Sequence, residues 1–304
     1  MRKKLFFYLL VVLTLTACGG SDDDDNPSVP TSTNSNCNDT RIEAIYGNLE
    51  FPHLKATGNN LVLIHRTATY GVNYSVEWDT DKHAQRWSCY QMTTENSVTN
   101  TSRWYGDRTV PFGQYPNDPL LPAGQQFTDD PYWNSGYDHG HICPSADRLC
   151  SQEANIQTFY MTNMQPQVNG FNAGVWVNME NQLRIWNTRN FRDVLYVCKG
   201  GTIDSEGNII RYLGSGRNRI PVPKYFFMAI LCKNRDAVNG GYKALGFWVE
   251  HTVNGSTNLD KYVVNIDELE RLTGIDFFCN LPDNIENAVE SLPRENVLRA
   301  WKLQ

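Results

Sequence analysis

The chain has 304 residues, 40% of them hydrophobic and 20% charged, which is enough to build a sizeable core. Lys and Arg number 27 against 33 Asp and Glu, a formal charge of −6, so no overall basic field marks the chain as a binder of polyanions. After the first 17 residues no stretch is apolar for long enough to span a bilayer as a helix, which excludes a helical transporter or channel.

The N-terminus carries Arg2, Lys3 and Lys4, then runs apolar over 5–13 and ends in Leu15-Thr16-Ala17-Cys18. A charged start followed by a short apolar run is the pattern of a removable export signal. Its end resembles a bacterial lipoprotein signal, with cleavage before Cys18 and lipid on the Cys18 sulfur; the alternative is an ordinary secretory signal with an incidental cysteine. Losing the three leader cations takes the charge from −6 to −9. Residues 19–36 carry Asp22 to Asp25 and then Ser, Thr, Asn and Pro, with almost nothing to bury. The expected organisation is a signal peptide over 1–17, a lipid-anchored disordered tether over 18–40 and one domain over 41–304. The expected location is extracytoplasmic, with membrane contact only through the lipid.

Cys37, Cys89, Cys143, Cys150, Cys198, Cys232 and Cys279 follow. An oxidising compartment permits disulfides, but an odd number leaves at least one thiol free or paired between chains. No Cys-x-x-Cys pair points to zinc.

Short runs rich in β-branched and aromatic residues predict strands over 61–65, 87–93, 158–163, 194–199, 225–232 and 245–249. They make a mixed α+β domain with a mostly antiparallel sheet. The segment 101–133 is loop, dense in Gly, Pro, Asn and Asp. Trp176, Met179, Leu183 and Trp186 recur at helical spacing within a helix predicted over 172–188. Asp267 with Glu270 opens a further helix that Gly274 ends; Asp283 with Glu286 opens another that Pro293 closes. Both are expected to cover the sheet.

The densest chemical cluster is Gly136-Tyr137-Asp138-His139-Gly140-His141-Ile142-Cys143-Pro144. A histidine can accept a proton near neutral pH, with a carboxylate such as Asp138 orienting its ring. Two histidines beside an aspartate can also bind a transition metal. A turn whose imidazoles merely satisfy loop carbonyls is the third reading, and these residues alone leave all three open. Thr158-Phe159-Tyr160-Met161-Thr162-Asn163-Met164-Gln165-Pro166-Gln167 follows, then Phe171-Asn172-Ala173-Gly174-Val175-Trp176 and Glu180. On a straight helix Asn172 and Glu180 stand about 80° and ~12 Å apart. That suits one direct ligand and one group reaching an ion through water.

Together these motifs resemble the DNA/RNA non-specific endonuclease family. Its ββα-metal core carries Asp-Arg-Gly-His, then Thr-Phe-Tyr-x-Ser-Asn-x-x-Pro-Gln, Asn-x-Gly-x-Trp and a Glu. The matching residues here are Asp138, Gly140, His141, Thr158, Phe159, Tyr160, Asn163, Pro166, Gln167, Asn172, Gly174, Trp176 and Glu180. Segments 86–93, 220–227 and 269–278 are similar as well, so the likeness runs from about 61 to 286. Two positions depart: His139 stands where the family has arginine, and Gln91 stands where relatives carry a phosphate-contacting arginine. Neither imidazole nor amide reproduces a bidentate guanidinium.

The resemblance implies a ββα-metal active-site motif with flanking helices, and a Mg²⁺-dependent endonuclease (Mn²⁺ as substitute) that cuts DNA and RNA with little sequence preference. His141 would activate water and Asn172 would ligate the metal. Asp138 or a nearby carbonyl would hold the His141 ring. Glu180 and Asn163 would hold the hydrated ion and the loop, and His139 would take the place of the charge-stabilising arginine. The competing readings are a catalytically weakened surface lipoprotein that binds nucleic acid, an adhesive lipoprotein, and a zinc hydrolase built on His139 and His141. His53, His65, His83 and His251 are expected in surface or packed roles, and Trp176 and Trp186 in the core. Arg148 and Arg184 lie near the motif without an assigned contact.

Overall fold

Apolar residues at period two on adjoining segments pair into a seven-stranded antiparallel sheet in the computed structural model, which describes residues 33–55, 58–235 and 238–303. The export signal, Cys18 and the acidic run lie outside the described residues. The strands are β1 (Asn60–Thr67), β2 (Gly71–Asp79), β3 (Ala84–Met92), β4 (Asp138–His141), β5 (Met164–Gln167), β6 (Val194–Gly201), β7 (Ile209–Leu213), β8 (Ile220–Pro223), β9 (Tyr225–Lys233), β10 (Tyr242–Glu250) and β11 (Val263–Val264). The large sheet runs β1-β2-β3-β6-β9-β10-β11, while β4–β5 and β7–β8 form separate two-stranded ladders. The helices are α1 (Gln152–Gln157), α2 (Asn169–Phe171), α3 (Val177–Trp186), α4 (Ile266–Thr273), α5 (Asp283–Glu290) and α6 (Arg294–Trp301).

Both faces of the sheet are covered. On β9, Phe226, Met228, Ile230 and Cys232 join one core with Met179, Leu183 and Trp186 of α3 and Val297 and Trp301 of α6. Phe227, Ala229 and Leu231 join the opposite core with Ile266 and Leu269 of α4 and Val289 of α5. A strand buried on both sides reads as a continuous apolar run, which is why β9 was legible. The helices α4 and α5 cover the sheet as expected. The unpredicted α6 caps the other face, where the Trp301 indole donates to the Ala244 carbonyl at 3.0 Å.

The sequence-based expectations fail at several points. Strand β2 was missed because its polar residues Asn73, Ser75, Glu77 and Asp79 are buried along with Tyr74, Val76 and Trp78, which erases the alternation. The segment 158–163 is not a strand. The Thr158 hydroxyl returns to the Asn155 carbonyl at 2.7 Å, residues 161–163 form a 3₁₀ turn, and the strand begins only at Met164. The tether expected to reach residue 40 is docked over its last part: Asn36 donates to Glu286 at 2.9 Å and Asn38, 5% exposed, donates to the Pro52 carbonyl at 3.0 Å. Its polarity satisfies buried partners instead of water. All seven described cysteines from Cys37 onward are free thiols, six of them buried.

Two features place the site. The β4–β5 ladder pairs His141 with Met164 and feeds directly into α2 and α3. The long connection between β3 and β4 folds over this unit. It is pinned where Asp118, fully buried, accepts from His65 at 2.8 Å and from the Thr162 hydroxyl.

Candidate active site

A cleft of about 680 Å³ opens above the β4–β5–α3 unit and is lined by Asp138, His139, His141, Asn172, Glu180, Arg103 and Arg184. Five of the six residues singled out from sequence therefore share one cavity, and Asn163 lies beneath it. Gly140 between the two histidines is a steric requirement: a Cβ there would sit 2.4 Å from the Gln167 side chain on β5.

The His141 ring is packed edge-on against Phe159 at 4.8 Å between centroids. Its Nε2 has no hydrogen-bond partner and almost no solvent exposure. Burial above all, helped by the nearby Arg103 cation, lowers its pKa to about 3, so the imidazole is neutral with an open lone pair. The His139 backbone pulls weakly the other way. The Asp138 Oδ2, expected to orient the ring, instead accepts from the Asn172 amide at 3.0 Å and from Asn169 at 2.9 Å.

That contact decides which way Asn172 points. A carboxylate only accepts, so the Asn172 nitrogen faces Asp138 and the carbonyl oxygen Oδ1 is left for the cleft. The straight helix assumed for 172–188 is broken: residues 172–176 form a π-turn and Gly174 adopts φ −105, ψ −115. The Val175 N–H leaves the helix to donate to the Asn254 carbonyl at 2.6 Å, and a Cβ on Gly174 would lie 2.2 Å from that oxygen. The kink, not helical periodicity, sets how Asn172 and Glu180 relate.

Glu180 is 8% exposed and accepts from Lys199 Nζ at 3.0 Å. Burial raises its pKa against the opposing pull of Lys199. Lys199, itself fully buried, lies 4.7 Å from the Trp176 ring centroid. Asn163 is fully buried below the cleft and stitches backbone: it donates to the Cys143 and Thr158 carbonyls at 2.8 and 2.7 Å and accepts from the Cys143 N–H at 2.8 Å. It positions the turn after His141 and does not reach the cavity.

His139 is sandwiched between Tyr115 and Tyr132, at 3.8 and 4.1 Å, with Nε2 3.1 Å from Asp130. That nitrogen is committed, unlike a free guanidinium. Gln91 lies outside the cleft, donating to Glu50 at 2.9 Å beside a separate groove. Arg148 is 1% exposed and spends its guanidinium on the carbonyls of Asn73, Asp147 and Gln91. Arg184 does line the cleft, held by buried Asp147 at 2.8 Å. Sequence reasoning missed Arg103, Tyr115 and Trp133, which arrive from the long connection with no motif around them. Arg103 stacks over Phe159 at 4.8 Å, and Trp133 is 77% exposed at the rim. The remaining histidines are packed or peripheral as expected; His251, for example, accepts from the Val168 N–H at 2.8 Å.

An oxygen donor on Asn172, the Glu180 carboxylate and the open volume beside them fit a hard divalent ion that keeps several waters, such as Mg²⁺. Among the described residues no three His, Cys, Asp or Glu ligand atoms converge in the cleft, which leaves the zinc reading without a cage.

The model of the DNA/RNA non-specific endonuclease family matches residues 56–284. A nuclease of Nostoc sp. is 28% identical over 243 residues, spanning 78% of this chain and 80% of that protein. Mitochondrial endonuclease G of Homo sapiens is 29% identical over 205 residues, spanning 64% and 67%. The crystal structure of the EndoG/EndoGI complex has a chain of similar fold, with a TM-score of 0.56 at 23% identity over 72% of this chain and 87% of that one.

Proposed function

This chain belongs to the DNA/RNA non-specific endonuclease family and is a hydrolytic nuclease, and from that premise we propose that it is a Mg²⁺-dependent endonuclease whose general base is His141. The observation that carries the reading is a neutral imidazole with an unpartnered Nε2 in the same cleft as the free carbonyl oxygen of Asn172.

His141 Nε2 takes a proton from the water that attacks phosphorus. Arg103 and Arg184 supply permanent cations at the cleft for phosphate oxygens, in place of the arginine that His139 and Asp130 do not reproduce. Asp138 keeps Asn172 turned outward, and Lys199 holds the Glu180 carboxyl at the cleft wall. The metal, on Asn172 with Glu180 holding its waters, would neutralise developing charge and ease departure of the 3′ oxygen.

Digesting plasmid DNA and RNA with and without EDTA tests this directly. Both substrates should be cut in Mg²⁺, spared in EDTA and cut again when Mg²⁺ is restored. Cleavage that survives EDTA defeats the metal assignment, whereas tight binding without cleavage favours the degenerate-scaffold reading.

Trp133 bridges the cleft and an adjoining groove that holds Arg211 and Tyr212. An exposed indole there serves as a stacking platform for an unpaired base, a contact worth about 1–3 kcal/mol. Trp133→Ala should raise KM for single-stranded substrates roughly five- to a hundredfold with kcat nearly unchanged. An unaltered KM removes the platform from the account.

A further inference from the structure

On the sheet face opposite the α3 core, α4 and α5 bring Asp267, Glu270 and Glu290 together, with one oxygen of each within 4.8 Å of the others. Asp276 and Glu286 add their charge to the same neighbourhood. Among the described residues none of these five carboxylates forms an ion pair. Glu290 is 5% exposed, and its Oε1 has no hydrogen-bond partner. A buried carboxylate with neither cation nor donor is costly. Burial first, then the neighbouring acids, push Glu290 up to about 10 and Glu270 to about 8.

We propose that Asp267, Glu270 and Glu290 form a structural divalent-cation site, with calcium the matching ion, separate from the catalytic cleft. The donors are all carboxylate oxygens, which select a hard cation over zinc or copper. Calcium takes oxygens at roughly 2.3–2.6 Å, so ligands across one ion stand about 5 Å apart, the span this cluster offers. The path is graded: Asp267 is exposed, Glu270 half-buried and Glu290 at the deep end. An ion there joins α4 to the last turn of α5 and gives the orphaned Glu290 oxygen its partner. The site does not depend on the nuclease mechanism.

The test is calcium titration of the metal-stripped protein, following melting temperature and bound calcium by equilibrium dialysis. Calcium at a hundredfold excess over its Kd should raise the melting temperature by roughly 5–10 °C. Glu290→Gln and Glu270→Gln should each lose that shift and one bound calcium per chain, while cutting nucleic acid at the wild-type rate below their melting temperature. Asn172→Ala should keep the shift. Loss of the shift in Asn172→Ala with retention in Glu290→Gln would assign the ion to the cleft and overturn the proposal. Wild-type protein that binds no calcium would overturn it too, leaving a cluster neutralised by protons.

Discussion

His141→Ala is expected to lose roughly 10²–10⁴-fold in cleavage rate on DNA and RNA alike, with the fold retained. The ring gives up its packing against Phe159 when removed, but an unsatisfied buried nitrogen goes with it, so the two effects on stability oppose. Losing the base costs kcat and kcat/KM together, because proton transfer occurs only in the transition state. Undiminished Mg²⁺-dependent cleavage by His141→Ala, measured in initial rates on plasmid and RNA, would end the assignment.

The state of His141 also sets a pH dependence. A base must be unprotonated, and with its pKa lowered to about 3 the free enzyme holds it so across the neutral and mildly acidic range. The acid limb of kcat/KM should therefore lie well below the ordinary histidine value of about 6.5. Stability carries the same sign. Below about pH 6.5 the unfolded chain protonates this histidine while the folded one does not, so its contribution is present above that pH and drains away as pH falls toward 3. Wild-type protein should lose more melting temperature than His141→Gln between pH 7 and 4.5. A kcat/KM limb at 6.5 would show that the ring is solvated in the working enzyme.

Asn163→Ala is the second large effect, and it is structural in origin. The substitution orphans the Cys143 N–H, the Cys143 carbonyl and the Thr158 carbonyl, all beneath the cleft. At about 1–3 kcal/mol for each buried group left unpaired, the loss is several kcal/mol and the melting temperature falls on the order of 10 °C. Below the new melting temperature kcat should drop, because the turn after His141 loosens. The Mg²⁺ concentration for half-maximal rate should not move. A higher Mg²⁺ requirement with unchanged stability would return Asn163 to the metal shell.

The motif residues were legible because each is demanded by local chemistry or close approach. Gly140 and Gly174 admit no Cβ, and the proposed base and metal chemistry asks for an imidazole at His141 and oxygens at Asn172 and Glu180. The doubly buried strands were legible too, since apolar runs such as β9 bury side chains on both faces. What misled was any segment whose polarity is satisfied inside. Strand β2 hides buried Asn, Ser and Glu, and residues 33–40 looked solvated while Asn36 and Asn38 were pairing with groups more than 200 residues away or deep in the core.

The sequence by itself determined the family, the residues proposed for base and metal, and the mixed, mostly antiparallel scaffold that holds them. Only the tertiary structure decided how those residues are aimed. The Asp138 carboxylate turns Asn172 outward, the Asn254 carbonyl kinks the helix at Gly174, and Arg103 and Trp133 reach the cleft from a connection without periodicity. Each of these is a contact between segments distant in the chain, and spacing along a sequence carries no record of such contacts.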